Sequence, residues 1–198
     1  MDNEPDVADP DKALALSARS GDRHAFAELV RRHQDRVFGF LLRMLGTRDE
    51  AMDLTQDAFL KLWTALPDWR PEARFTTWMF QIARNTALDL LRRRQRVHFV
   101  SLDADAPHHD VGDATPSPER QCADRQNLGL LQQALDALPA EQREILLLRE
   151  LEEMSYAELA VTLGINEGTV KSRLARARAA ALTHYRHYAG ESLDDRST

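Results

Sequence analysis

The sequence predicts an all-α protein made of two small helical domains, joined by a flexible acidic linker. Apolar residues recur at helical spacing from about 13 to 96 and again from about 119 to 188, with few of the alternating β-branched runs typical of strands. Residues 101–118 between them are rich in Pro, Asp, Ala and Gly and cannot bury a core. A chain of 198 residues has room for two compact domains.

Cap residues and apolar stripes place four helices in each domain. Those of the N-terminal domain are predicted at about 11–20, 22–45, 48–66 and 74–97. Those of the C-terminal domain are predicted at about 119–137, 140–150, 155–163 and 166–188. The resulting plan is a disordered acidic tail at 1–10, a domain at 11–97, a linker at 98–118, a domain at 119–188 and a second tail at 189–198.

Cysteine content and hydropathy bear on the compartment of the chain. Its single cysteine, Cys122, excludes internal disulfides and Cys-rich zinc modules, which fits a reducing cytosol. No apolar run is long enough to span a membrane, and the acidic N-terminus does not have the form of a signal peptide. We therefore expect a cytoplasmic protein without membrane insertion.

Charge is strongly segregated along a chain whose net charge is −6. Residues 164–186 carry five basic residues and one acid, and residues 70–96 carry seven arginines and two acids. Acidic residues are concentrated in 1–12, 97–127 and 136–158. Two basic surfaces separated by acid are typical of a nucleic-acid-binding chain whose acidic parts meet a basic partner or weaken unproductive DNA contacts. The alternative is that the acid only keeps the chain soluble.

The segment 154–178 has the layout of a helix-turn-helix. Ser155 is a natural N-cap with Glu158 three residues later, the helix ends at Gly164, and Asn166 can cap a second helix. The second helix has an apolar inner face and an outer face that carries Thr169, Ser172, Arg173 and Arg176, flanked by Lys171 and Arg178. These side chains suit base edges and phosphates. The alternative is an ordinary helical hairpin with a solvated basic face.

A second candidate site lies in the block 70–94, where aromatic residues alternate with arginines. The helical spacing predicts a buried side, formed by Met79, Ile82, Ala83, Thr86 and Leu90, and a separate stripe, formed by Trp78, Gln81, Asn85, Asp89 and Arg92. Phe75 and Trp78 beside arginines combine stacking surfaces with phosphate-binding charge, which suits unpaired bases better than intact duplex. The alternative is that the aromatic residues, Phe75 and Phe80 above all, belong to the core.

Several ordered blocks together resemble bacterial sigma factors of the extracytoplasmic-function (ECF) type, within the sigma-70 family. They cover most of residues 20–187 and are found at 53–63, 75–85, 88–94, 138–150 and 168–178. The resemblance implies a transcription initiation factor that binds core RNA polymerase and promoter DNA. It also implies a protein that is not an enzyme, that needs no cofactor or metal, and that regulates transcription under environmental stress, with an anti-sigma factor as a further candidate partner.

The resemblance also assigns roles to individual residues. Polymerase binding, on the clamp helices of the largest subunit, falls to Asp53, Gln56, Asp57 and Leu60, for which a solvated acidic stripe is the alternative. Capture of the melted −10 element falls to Arg74, Phe75, Thr77, Trp78, Arg84, Asn85 and Arg92. Reading of the −35 element as duplex falls to Thr169, Lys171, Ser172, Arg173 and Arg176. Residues 145–148 would pack near the polymerase flap or, as we favour, in the core.

Four positions depart from the family pattern. Thr76 and Gln81 stand where basic residues are common, which puts part of the phosphate contact in doubt. Ala175 stands where a larger side chain is frequent, and a methyl group cannot donate to a base. Glu153 replaces a common turn glycine, so we expect a strained or different turn there.

Two other classes of protein remain as alternatives. A conventional helix-turn-helix regulator would explain 154–178 but would leave the 75–94 block without a purpose. A nucleic-acid enzyme would need a metal cluster, for which Asp49, Glu50, Asp53 and Asp57 are conceivable, but no nucleophile or phosphate-binding glycine loop accompanies them.

The linker has two open interpretations. It would either run through a basic channel of the polymerase or serve as a tether without contacts. His98, His108, His109 and Cys122 flank it at irregular spacing, and plain surface residues are favoured over a metal or redox site.

Overall fold

The computed structural model describes residues 9–100 and 118–190, with the backbone alone at 97–100 and 118–126. Its α-helices are α1 Lys12–Arg19, α2 Arg23–Leu45, α3 Arg48–Ala65, α4 Phe75–Val100, α5 Pro118–Asp136, α6 Ala140–Glu150, α7 Tyr156–Leu163 and α8 Glu167–Tyr188. No strand occurs in these ranges, and the all-α prediction is confirmed. Each helix lies within a few residues of its predicted place.

The predicted linker and tails can be compared with the structure only in part. Helix α4 reaches Val100, inside the segment predicted as linker. The rest of that linker up to 117, with His108 and His109, lies outside the described residues, as do 1–8 and 191–198. None of the described helices is long and apolar enough to cross a membrane.

Helices α1–α4 form the N-terminal domain around a shared apolar core. Asp22 caps the start of α2, because its carboxylate accepts from the amides of His24 and Ala25 at 2.9 and 3.2 Å. It ends at Gly46, where φ is 79°, a left-handed conformation that glycine adopts without steric cost. The large side chains buried completely in this core are Leu29, Phe40, Leu41, Met44, Leu62, Leu66, Phe75, Met79 and Phe80.

The N-terminus of α4 is held by a residue that is distant in sequence. The Asp9 carboxylate accepts from the Phe75 amide at 2.7 Å, which satisfies a backbone donor left free at the helix start. Two residues later, the buried Asp11 carboxylate lies 2.8 Å from His33 Nε2. Asp9 therefore belongs with the domain rather than with the tail to which the sequence assigned it.

Helices α5–α8 form the C-terminal domain, and the predicted helix-turn-helix is confirmed. The Ser155 hydroxyl accepts from the Glu158 amide at 3.2 Å while the Glu158 carboxylate accepts from the Ser155 amide at 2.9 Å. Helix α7 ends at Gly164 with φ of 66°, and Asn166 caps α8 by accepting from the Thr169 amide at 2.8 Å. The inner faces bury Leu159, Val170, Leu174 and Ala177.

Glu153, between α6 and α7, is strained as expected. Its φ is 55°, the only positive φ of a non-glycine residue within 9–100 and 118–190. Because the left-handed conformation costs an L-residue about 1–2 kcal/mol and glycine is more costly to order, Glu153→Gly should stabilise the protein by up to about 1 kcal/mol. Urea unfolding measures this. Glu153→Ala, which keeps the strained Cβ, is the control, and an equal gain in both variants would contradict a backbone origin.

The two domains pack against each other. Contacts join α2 and α4 of the N-terminal domain to α5, α6 and α7 of the C-terminal domain. Helix α7, the first of the helix-turn-helix, lies against α4, so the two candidate DNA-binding elements are neighbours in the folded chain.

Candidate nucleic-acid and polymerase interfaces

The outer face of α8 lies in solvent because the opposite face of the helix is buried. Lys171, Ser172 and Arg176 are exposed, and Thr169 and Arg173 are half-buried. The apolar residues Val170, Leu174 and Ala177 fix the rotation of the helix by packing inward. Thr169, Ser172, Arg173 and Arg176 thus lie on one side of α8, away from its buried stripe, and Lys171 lies at the other edge of that stripe.

The side chains of this face differ in how free they are. The Thr169 hydroxyl donates to the Asn166 side chain at 2.9 Å, so it is committed to the helix cap. The Lys171 ammonium lies 5.6 Å from the Tyr156 ring centre in a cation–π contact, and Arg173 lies 3.9 Å from Glu141. Arg176 has only a 3.4 Å contact to its own helix backbone. Arg176 is therefore the least engaged of the basic side chains on this face.

The aromatic residues of α4 divide between the core and the surface. Phe75 and Phe80 are fully buried, and Phe80 meets Phe40 edge-on at 5.5 Å. The core interpretation therefore holds for both, and Phe75 is not available to stack on a base. Its ring instead supports Trp78, which is only partly buried and lies 6.0 Å from it.

The predicted buried side of α4 is only partly buried in the structure. Met79, Ala83 and Thr86 are buried, while Ile82 and Leu90 are half-buried. Thr77, placed among the base-contacting residues, is 3% exposed, and its hydroxyl lies 3.3 Å from the Glu158 carboxylate. Asn85 is exposed and accepts from Arg84 at 3.0 Å.

Trp78 borders a pocket that the sequence did not reveal. Its volume is about 230 Å³. Its walls come from the turn before α4, from α4 itself and from α7, and comprise Asp68, Trp69, Arg70, Ala73, Thr77, Trp78, Gln81 and Val161. One of these lining residues is Trp69, which is buried and whose ring centre lies 6.4 Å from that of Trp78. Helical periodicity could not identify Trp69, because it lies outside any helix. The only available signal was a second tryptophan close before the block.

The arginines of α4 have acidic partners. Arg84 makes a two-pronged contact with Glu144 of α6, at 2.7 Å from Nε and 3.1 Å from Nη2. Arg74 lies 3.2 Å from Glu158 of α7. Arg92 is exposed and lies 3.4 Å from Asp89. Two of the three predicted phosphate-binding arginines are thus occupied by carboxylates of the other domain.

Burial acts on both of these carboxylates. Burial raises the pKa of Glu144 above its usual range, although hydrogen bonds from Arg84 act in the opposite direction. For Glu158, burial also acts to raise the pKa, but the hydrogen bonds of Ser155 and the charge of Arg74 together lower it. Glu158 is thus held as a carboxylate by its own helix cap as well as by Arg74.

The predicted polymerase-binding residues lie on α3. Asp53, Gln56, Asp57 and Leu60 are all exposed, with Leu60 at 64%. Gln56 and Leu60 border a groove of about 570 Å³ between α2 and α3, whereas Asp53 and Asp57 do not line it. Helix α2 supplies the opposite wall through Phe26 and Val30, which the sequence analysis did not single out.

The acidic cluster considered for a metal is not assembled. The Glu50 carboxylate is engaged by the Thr47 hydroxyl and the Arg94 guanidinium. Within the described ranges, no three His, Cys, Asp or Glu side chains are grouped so as to hold a metal ion.

Comparisons with known proteins agree with this arrangement. Residues 29–97 match the family described as sigma-70 region 2, and residues 128–180 match that described as sigma-70, region 4. RNA polymerase sigma factor NccH of Alcaligenes xylosoxydans xylosoxydans is 38% identical over 87% of this chain and 94% of its own length.

Two solved structures are similar over most of the chain. CnrH, in complex with the cytosolic domain of CnrY, matches with a TM-score of 0.67 and 28% identity over 92% of this chain and 99% of its own. The sigma factor RpoE, in complex with the anti-sigma factor NepR from Bartonella quintana, matches with a TM-score of 0.68 and 25% identity over 85% of this chain and 98% of its own.

Proposed function

The chain belongs to the sigma-70 family, as a non-enzymatic transcription initiation factor of the ECF type, and from this premise we propose how its surfaces divide the work of initiation. The outer face of α8 reads the −35 element as duplex. The pocket at the start of α4 captures a base of the melted −10 strand. The groove between α2 and α3 binds core RNA polymerase.

One observation carries this proposal: the chain has two basic surfaces of different chemistry. Between Thr169 and Arg176, the α8 face carries polar and basic side chains and no aromatic residue, which suits the edges of paired bases in the major groove. The α4 surface places the partly exposed Trp78 and Asn85 beside arginines and a pocket, which suits a base removed from the stack.

The proposed polymerase role of the α2–α3 groove rests on the exposed apolar side chain of Leu60, which lines it. Leu60 is 64% exposed in the free chain, so contact with polymerase would remove its side chain from water. Leu60→Ala should weaken core binding by about 1–2 kcal/mol, without loss of stability because the residue is exposed. Affinity for purified core enzyme measures this. Met52→Ala, an exposed apolar residue on the same helix outside the groove, is the control, and an equal loss in both variants would remove the groove from this role.

Base reading by α8 is tested at Arg176. Arg176→Ala should weaken selection of the preferred −35 sequence by about 1–3 kcal/mol, since a well-placed guanidinium discriminates among base pairs by that amount. Lys171→Ala should act with less sequence selectivity. The measurement is reporter transcription from all single-base variants of the element. An equal fall on every variant in Arg176→Ala would show that this residue binds phosphate and reads no base.

Regulation by a protein partner is also proposed. The related CnrH and RpoE were each solved in complex with a protein, described for RpoE as an anti-sigma factor. In this chain, an apolar groove of about 510 Å³ is lined by the C-terminal domain and by Arg43 of α2, and its leucines are Leu131, Leu135, Leu146, Leu147, Leu151 and Leu182. We propose that an anti-sigma factor holds the protein inactive until an environmental stress releases it. A tagged-protein pull-down from the host before and after stress tests this, and a stress-independent set of partners would contradict it.

A further inference from the structure

The pocket beside Trp78 is built mainly by one short stretch of the N-terminal domain. All of its lining residues except Val161 lie at 68–81, in the loop before α4 and in the first two turns of that helix. Within the loop, at 69–74, Trp69 is the only buried residue. A loop with so little burial of its own depends on bonds from other elements for a fixed conformation.

The residue that precedes α1 by three positions supplies one of these bonds. One oxygen of the Asp9 carboxylate accepts from the amide of Phe75, the first residue of α4, at 2.7 Å. The other oxygen accepts from the Asp11 amide at 3.1 Å, which fixes the direction of the carboxylate. Because the first amides of a helix have no partner within the helix, Asp9 serves as an N-cap supplied from 66 positions away.

A second bond comes from the other end of α1. Arg19 Nη1 donates to the Trp69 carbonyl oxygen at 3.1 Å. The Trp69 ring centre lies 6.0 Å from that of Phe75 and 6.4 Å from that of Trp78. The two ends of α1 therefore hold the two ends of the loop, with Arg19 bound at Trp69 and Asp9 bound at Phe75.

Helix α1 is itself anchored to α2. The two helices are in contact, and α1 buries Ala15 and Ala18 in the shared core. At the N-terminus of α1, the buried Asp11 carboxylate lies 2.8 Å from His33 Nε2 and 3.2 Å from Arg32 Nη1, both of α2. Since a buried carboxylate is costly to separate from its partners, these contacts make α1 a stable support for the loop.

We propose that Asp9 and Arg19 are positioning residues for capture of the −10 base. They hold the loop 69–74 in one conformation, so that Trp69 and Trp78 form the walls of the pocket before DNA arrives. Because the ordered loop is already populated, less binding energy is lost in ordering it when a base enters. This inference rests on the proposed role of α4 in capturing the melted strand.

The charge of Asp9 separates this role from a direct effect on DNA. Asp9 is an acid beside a surface proposed to bind DNA, so its removal should by charge alone strengthen the binding of DNA. Loss of a cap that orders the pocket acts in the opposite direction. Weaker promoter opening in Asp9→Ala would therefore have to come from the position of the loop.

The test uses the full chain assembled with core RNA polymerase on promoter DNA. Asp9→Ala should reduce the ratio of open to closed complex by about fivefold, the factor that corresponds to the loss of a typical helix cap. Asp9→Asn keeps an acceptor oxygen in the same place and should restore most of the opening. Permanganate reactivity of thymines in the −10 element measures the ratio.

The matched control is Asp22→Ala. It removes the same charge and the N-cap of another helix, α2, in the same domain, and it should leave promoter opening unchanged. A second pair compares Arg19→Ala with Arg31→Ala, since Arg31 is an exposed arginine paired with Glu28 on α2. Only Arg19→Ala should reduce opening, and the salt dependence of DNA binding should stay the same because no phosphate contact is lost.

The loop itself is followed in the free chain through Trp69. The chain has three tryptophans, so Trp63→Phe with Trp78→Phe leaves Trp69 as the single reporter. Quenching of its fluorescence by acrylamide measures its exposure. Quenching should rise when Asp9→Ala is added to this background, and it should stay unchanged with Asp9→Asn or Asp22→Ala.

The inference is overturned by normal opening in Asp9→Ala, by an equal loss in Asp22→Ala, by a loss that Asp9→Asn does not rescue, or by unchanged quenching of Trp69. Affinity for core enzyme should be the same in all variants, and a matching loss there would reduce Asp9 to a residue of general stability. Failure of the proposed role of α4 is distinguishable, because Trp78→Ala would then open promoters normally. If this inference alone fails, Trp78→Ala is defective while Asp9→Ala is normal.

Discussion

Trp78→Ala and Asn85→Ala are expected to leave polymerase binding intact and to impair promoter opening. Trp78 is the partly exposed member of an aromatic cluster in which its ring contacts the buried rings of Phe75 and Trp69. Stacking of one base on an aromatic side chain contributes about 1–3 kcal/mol, so the open complex should be less populated by the corresponding factor. Permanganate footprinting of thymines in assembled complexes measures the opening directly.

Controls separate base capture from damage to the fold. Trp78→Phe keeps a stacking surface and should restore most of the opening, whereas a purely structural defect would not be rescued in this selective way. Gln95→Ala removes an exposed amide further along α4 and is the matched control for Asn85→Ala. Normal thymine reactivity in both Trp78→Ala and Asn85→Ala would remove the melting role from this surface.

The helices and their ends were predictable because their causes are local. Ser155, Gly164 and Asn166 act on backbone groups a few residues away, and the structure contains each of these caps. The strain at Glu153 was predictable for the same reason, since it depends on the conformation of one turn.

The division of the aromatic residues was only partly predictable. Helical spacing can state that two side chains share a face, but not which face a tertiary partner covers. Phe75 was placed among the base-contacting residues, yet Trp69 and His33 surround its ring from other elements and hold it in the core. Trp69 itself belongs to no helix, so periodicity carried no information about it.

The contacts between domains lay beyond the sequence for a different reason. Summed charges indicated that acidic segments would meet a basic partner, without identifying that partner. The pairing of Arg84 with Glu144 joins residues 60 positions apart, and that of Arg74 with Glu158 joins residues 84 apart. Such pairs depend on how the two helical domains pack against each other, which no local pattern records.

Tight binding of promoter DNA should require core RNA polymerase. Each basic surface of the free chain is small, and the acidic segments of the same chain repel DNA. In addition, Arg74 and Arg84 are already bound to carboxylates, so the free protein has few cations left for the −10 strand. Docking on polymerase would hold the two domains at a fixed separation, so that binding of one promoter element makes binding of the other effectively intramolecular.

The expected gain in affinity for promoter DNA is about 10²–10⁴-fold. It is large because the second contact then occurs at an effective concentration in the millimolar range and needs no second bimolecular encounter. The measurement is binding of a promoter fragment at physiological salt by the protein alone, by core enzyme alone and by the mixture, since salt strongly sets such affinities. Only the mixture should bind tightly and with sequence preference. The contrary result would be tight and selective binding of the fragment by the protein alone, with no change on adding core enzyme. Such a protein would be a conventional helix-turn-helix regulator. Neither the groove between α2 and α3 nor the pocket on α4 would then be needed to explain its function.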